Sequence, residues 1–263
     1  MFGLVLIAIV LVAAIIGLVA VPESANRSVL GQRVNPPSAA HLFGTDGSGR
    51  DILMRVLLGA PLSLAVGVVA VAIGCVLGAA QGLIAGYRGG LVGAAIMRFT
   101  DAMLAFPALL LALAVMATLG AGLTNIMIAI GLSSMPRFTR VMQAEVLTIR
   151  NRDYVLAAEA VGASTMRVLI QHILPNALSS MLVLSTLSIS TAILAEATLS
   201  FLGLGPRPPT ATWGSMISDG TSVLESAPWV VLFPGLAITL TVLGFSLFGD
   251  GLRDALDVRL RDR

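Results

Sequence analysis

Glu196 is the one acid set well inside a long apolar run of this chain. An ionisable group there is costly to keep, and marks an ion path, a solute path or a hydrogen bond between helices. At 1.5 Å per residue it would lie roughly 12 Å from the outer end of its helix. Ser200 follows one turn later. Ser133-Ser134 invites a nucleophilic reading, but such a serine needs a base within reach. His41 and His172 are far apart and sit in polar segments, outside the serine's span. There is no HExxH, and the single cysteine, Cys75, can form neither an internal disulfide nor a cysteine metal cluster. No metal site is expected. All 16 basic residues are arginine. Without lysine there is no Walker A loop and no Schiff base. Catalysis within this chain has no constellation to stand on.

The elements that position these residues are membrane spans. The chain has 263 residues, 57% hydrophobic and 11% charged, against about 25% charged in a soluble domain. With roughly 20 apolar residues needed per crossing, six spans are expected: 2–21, 61–86, 102–120, 125–142, 177–204 and 228–248. The predicted fold class is an all-α membrane protein with three parts. Residues 1–21 form a first helix, 22–60 an extracytoplasmic loop, and 61–263 a five-span core with a cytoplasmic loop at 143–176. The arginines crowd one side of this arrangement, among them Arg88, Arg98, Arg137, Arg140, Arg150, Arg152, Arg167, Arg253, Arg259, Arg261 and Arg263. The positive-inside rule then puts both termini and the 143–176 segment in the cytoplasm. A net charge of +2 gives no support for nucleic-acid binding.

The polar 143–176 segment has its own internal order. Asp153 is a helix N-cap candidate, and the run from Tyr154 through Glu159 to Val161 has no breaker. Ala157, Ala158 and Ala160 make that helix thin enough to enter a groove on a partner. Gly162 can end it in a left-handed turn, next to Ala163. Ser164 can cap a second helix through His172. Pro175 is expected to force Leu174 out of helical geometry. Elsewhere Gly74, Gly78, Gly82, Gly86 and Gly90 recur every fourth residue, a spacing that lets another backbone approach closely. Its neighbour could lie in this chain or in a partner. Arg98 and Asp101, three apart, would form a local pair. The 44–51 segment, with Gly44, Asp46, Gly49 and Asp51, is dense in turn residues but lacks EF-hand spacing.

Leu156-Ala157-Ala158, then Gly162, then Ile173-Leu174-Pro175 resembles the coupling loop of ABC importer permeases. The common pattern there opens with Glu-Ala-Ala; here leucine stands in place of that glutamate, and Glu159 lies one turn later. Several further segments resemble the second permease of the dipeptide, oligopeptide and nickel branch. These are Phe43-Gly44-Thr45-Asp46 with Gly49-Arg50-Asp51, Ala105-Phe106-Pro107, Leu199 to Gly205 with Trp213-Gly214, Phe233-Pro234-Gly235, and Gly249 to Asp257. The resemblance implies the type I importer fold. It also implies partners: a homologous second permease in a heterodimer, two ATPase domains that bind ATP and Mg²⁺, an extracytoplasmic substrate-binding protein, and the lipid of a bacterial plasma membrane. No cofactor is implied in this chain. The outer loop around Thr45, Asp46, Arg50, Asp51 and Trp213 would meet the delivery protein. Asp153 to Ala163 and Ile173 to Pro175 would couple to the ATPase. Glu196 and Ser200 are candidates for the translocation path. The competing class is an ion-coupled carrier, for which Glu196 would be the leading proton site.

Overall fold

In lipid, backbone N–H and C=O groups must be satisfied within the chain, so apolar runs become helices. The computed structural model describes residues 2–29, 31 and 33–256, and among these it is helical apart from its loops and one isolated β-bridge. The helices are α1 (Phe2–Val19), α2 (Ile52–Arg88), α3 (Gly90–Leu104), α4 (Ala108–Leu119) and α5 (Leu123–Ile149). They continue with α6 (Asp153–Ala160), α7 (Thr165–Leu204), α8 (Trp213–Gly220) and α9 (Trp229–Leu256). By length and apolarity, α1, α2, α7 and α9 can each cross a bilayer, and α3 with α4 makes a fifth crossing if that bent pair is one span. α5 has 27 residues, about 40 Å of helix, but falls short on apolarity because Arg137 and Arg140 lie within it.

Several boundaries differ from those expected. α2 starts at Ile52, not Pro61, because the Asp51 carboxylate accepts a hydrogen bond from the Met54 N–H at 2.9 Å and caps it. Pro61 is absorbed inside the helix. The 102–120 span is really a corner: α3 and α4 meet at 94° across Ala105-Phe106-Pro107, where Pro107 drives Phe106 out of the helical region. α5 runs unbroken through Pro136 to Ile149, so Arg137 belongs to a helix interior rather than to a cytoplasmic connection. Asp101 pairs with Arg140 of α5 and not with Arg98. The expected break at Pro175 is absent. Leu174 is helical (φ −55°, ψ −46°), and a π-helical turn at Val168–Ile173 lets α7 pass through the proline. Asp257, Arg259, Arg261 and Arg263 lie outside the described residues.

The glycine row finds its neighbour within the chain. A Cβ on Gly78 would lie 2.5 Å from the Phe138 Cβ and 2.6 Å from the Met135 carbonyl of α5. On Gly82 it would lie 2.6 Å from the Met142 Cβ, and on Gly86 2.7 Å from the Val146 Cβ. Gly74 faces Gly131 and Ser134 in the same way. Both sequences rise together along this seam, so α2 and α5 are parallel. Two parallel neighbours require a return crossing between them, which α3 and α4 supply. Gly90 is not part of the row; it opens α3 beyond the turn at Gly89. At the other side of α2, α1 packs against both α2 and α9, with Gly3 and Gly17 permitting the approach.

Candidate functional site

The corner between α5 and α7 is built from glycine geometry. α6 ends at Gly162, whose φ is +85°. The Gly162 N–H donates to the Glu159 carbonyl at 2.9 Å and the Ala163 N–H to the Ala158 carbonyl at 3.0 Å. That pair of bonds is a Schellman motif, which needs a left-handed residue at this position. The Ser164 hydroxyl then caps α7 by accepting from the Arg167 N–H. Asp153 does not cap α6, as its sequence position suggested; Arg152 occupies that place and Asp153 lies in the first turn, where its charge suits the helix dipole.

One buried side chain anchors α6. Val155 packs into the cluster that includes Val146, Ile149, Val168 and Ile173. Ile173 is therefore buried and Leu174 half-buried, so these two support the corner from below. Its outer surface carries Tyr154, Leu156, Ala157, Glu159, Gly162 and Pro175, with Ala158 and Ala163 half-buried. Leu156, Val161 (86% exposed), Met166 and Ile170 extend this surface as large exposed apolar residues. A contiguous apolar surface on a polar loop marks a protein contact. Val161, Met166 and Ile170 were not singled out by sequence; their signal was hydrophobicity on both sides of a glycine corner. Two hydrogen bonds tie the corner to α2. The Tyr87 hydroxyl donates to Glu159 Oε1 at 2.8 Å, and Arg150 Nη1 donates to the Gly86 carbonyl at 2.9 Å. Displacing α6 therefore pulls directly on the α2–α5 pair.

At the other end of α2, Asp46 organises the 44–51 loop. Its Oδ1 accepts from the Ser48 and Arg50 N–H groups, and its Oδ2 from Arg50 Nε at 2.7 Å and Arg55 Nη1 at 2.6 Å. Burial works against the Asp46 charge, but the Arg50 N–H and the Arg50 and Arg55 guanidinium charges prevail and hold its carboxyl below the usual range. Arg55 is 2% exposed and reaches toward Asp219 of α8, as does Arg50. Asp51 caps α2 through Oδ1 and pairs through Oδ2 with His41 Nδ1 at 2.8 Å. Phe43 stacks on Phe233 of α9, with ring centroids 3.9 Å apart. Thr45, Asp46, Arg50 and Trp213 are buried and Asp51 is half-buried, so within this chain these residues hold the 44–51 loop to the helices around it.

Removing the Asp46 carboxylate leaves two buried guanidinium groups with only their longer contacts to Asp219. Asp46→Ala is expected to cost about 3–5 kcal/mol, read as a lower unfolding temperature in detergent. The folded-state value lies below the unfolded one, so this contribution is present above the unfolded value of about 3.9 and is lost as pH falls through the folded value. Thermal stability attributable to Asp46 should be level from pH 8 to pH 5 and decline only below about pH 4.

Glu196 is 1% exposed, with Ser200 also buried. Its Oε1 accepts from the Ser200 and Thr212 hydroxyls, each at 2.8 Å. Thr212 is the N-cap of α8, and Trp213 beside it donates Nε1–H to the Val56 carbonyl at 3.0 Å. Glu196 thus ties α7 to α8 within one chain. In this arrangement Glu196 serves as a hydrogen-bond acceptor between helices, while Ser200 also lines a cavity of about 340 Å³ with Gly203, Arg207 and Asp219.

The chain is thus a multi-span helical protein with an exposed glycine corner between α5 and α7. Residues 78–262 match the family described as binding-protein-dependent transport system inner membrane component, and the chain belongs to that family. It is 45% identical over 259 residues to the dipeptide transport system permease protein DppC of Alkalihalophilus pseudofirmus, covering 98% of this chain and 85% of that one. It is 47% identical over 227 residues to the glutathione transport system permease protein GsiD of Escherichia coli, covering 86% and 75%. A putative peptide transport system permease of Brucella suis is 45% identical over 260 residues, covering 98% and 87%. A chain from an inward-facing structure of the MetNI methionine ABC transporter shares the fold, with a TM-score of 0.62 at 18% identity over 76% of this chain and 95% of that one. A chain of an amino acid ABC transporter does so at a TM-score of 0.58 and 16% identity, covering 77% and 94%. The chain is a multi-pass membrane permease subunit of the ABC importer type, which works with ATPase and binding-protein partners. These findings favour that reading over a self-contained ion-coupled carrier.

Proposed function

We propose that this permease carries peptides, as one half of a heterodimer with a homologous second permease. Both termini and the α5–α7 corner face the cytoplasm, where two ATPase domains bind ATP and Mg²⁺ and receive the corner in a groove. Hydrolysis takes place in those partners, and an external binding protein delivers the peptide. The observation that carries the substrate class is the identity of about 45% along nearly the whole chain to permeases named for dipeptide and peptide transport. The corner's exposed apolar surface, fastened to α2 through Tyr87 and Glu159, supports the coupling role.

Uptake by the complex reconstituted with a permease partner, ATPases and binding protein tests the substrate. Labelled di- and oligopeptides are expected to accumulate with ATP, while nickel is not; nickel accumulation without peptide uptake would overturn the reading. Orientation is tested with cysteines in a Cys75→Ser background. One at Thr165 should be labelled only from the cytoplasm and one at Thr210 only from outside. Labelling of both from one side would contradict the topology.

A further inference from the structure

Arg137 stands at the middle of α5, 14 residues after Leu123 and 12 before Ile149. That is roughly 21 Å from one end of the helix and 18 Å from the other. It is exposed and makes no ion pair or hydrogen bond among the described residues. The arginines around it on α5 behave differently: Arg140 pairs with Asp101, and Arg150 donates to the Gly86 carbonyl. An unpaired guanidinium is costly within a membrane, so such groups face a water-filled path or an acid.

Beside Arg137 there is a cavity of about 330 Å³. It opens between α4, α5 and α7, with Arg137, Ser133, Ser134, Ser188, Thr191 and Phe106 on its wall. Its size is at the lower end for small-molecule pockets. Three of its hydroxyls already donate to their own helices: Ser133 to the Ile130 carbonyl, Ser134 to the Gly131 carbonyl and Thr191 to the Ser188 carbonyl, each at 2.9 Å. With their protons committed, they present lone pairs as acceptors. The wall therefore combines one cationic fork, suited to a carboxylate, with acceptors suited to amide N–H groups, and an apolar ring.

We propose that Arg137 binds the C-terminal carboxylate of a peptide in transit, with the Ser133, Ser134 and Thr191 hydroxyls accepting from its N–H groups. This rests on the peptide reading above. The cavity distinguishes it from a simple ion pair to an acid of the partner permease, since a side-chain pair needs no lined space beside it.

The test uses the assembled complex in detergent, with Thr191→Cys as a reporter in a Cys75→Ser background. The probes are Ala-Ala and its C-terminal amide. Ala-Ala is expected to slow alkylation of the reporter, and the amide is not. Arg137→Gln should weaken the protecting affinity about tenfold or more, the loss of a charge-assisted hydrogen bond, and Arg137→Lys should retain part of it. Equal protection by acid and amide, or protection that survives Arg137→Gln, would overturn the site. So would loss of the assembled complex in Arg137→Gln together with no carboxylate-dependent protection in the parent, the mark of a pair with the partner permease. Uptake of labelled Ala-Ala by reconstituted vesicles separates this from the underlying reading. Wild-type uptake that Arg137→Gln leaves unchanged removes the site and keeps the reading. No wild-type uptake, with Arg137-dependent protection by Ala-Ala, removes the reading and keeps a carboxylate site.

Discussion

Gly162→Pro is expected to leave the chain inserted and assembled while abolishing substrate uptake. Proline fixes φ near −65°, whereas Gly162 stands at +85°. It also deletes the N–H that donates to the Glu159 carbonyl. The Schellman corner cannot form, so α6 must leave its seat above α7. The membrane helices are not touched, because a Cβ at Gly162 meets nothing within 4 Å. For the same reason Gly162→Ala should be mild, losing only about 1–2 kcal/mol of local left-handed preference. The measurement is paired ATPase turnover and uptake in the assembled complex. Uptake in the proline variant at the parental rate would remove the corner from the coupling path.

Gly78→Leu should act at the opposite level, on assembly of the fold. Its Cβ alone would sit 2.5 Å from the Phe138 Cβ and 2.6 Å from the Met135 carbonyl. Neither is the end of a flexible side chain, so α2 and α5 must separate. Overpacking typically costs about 1–3 kcal/mol, and a contact with backbone belongs at or above the top of that range. The expected result is loss of folded protein after membrane extraction, followed by size-exclusion profile. Gly235→Leu is the control, since nothing lies within 4 Å of its Cβ. Equal yields of the two variants would contradict the α2–α5 seam.

What was legible in the sequence was local. Long apolar runs gave the helices, and a four-residue glycine spacing gave a packing face. Gly162 was readable because a left-handed corner all but requires glycine. Pro175 was misleading, since a proline's local preference yields when a π-helical turn re-registers the carbonyls ahead of it. The Phe106-Pro107 corner was hidden by continuous hydropathy, which counts apolar residues and is blind to bends. Asp153 lost the N-cap because Arg152 already adopts the extended conformation that position needs. The Tyr87–Glu159 bond spans 72 residues and the Arg50–Asp219 contact 169; no local pattern encodes such distances. Glu196 was correctly marked as unusual, but its depth alone could not separate a solute path from a hydrogen bond to Thr212. Arg137 fell within the 125–142 span but was counted with the cytoplasmic arginines because of its charge, and only the continuity of α5 to Ile149 puts it at mid-helix.

The central claim is that uptake through this permease is driven by ATP in partner chains. It is tested most directly in proteoliposomes holding the full complex, with defined internal ATP and an imposed proton gradient. Uptake is expected to require ATP and to persist with a protonophore when ATP is held constant, and Glu196→Gln should not alter that dependence. Uptake by this chain alone, driven by the gradient without ATPase partners, would contradict it.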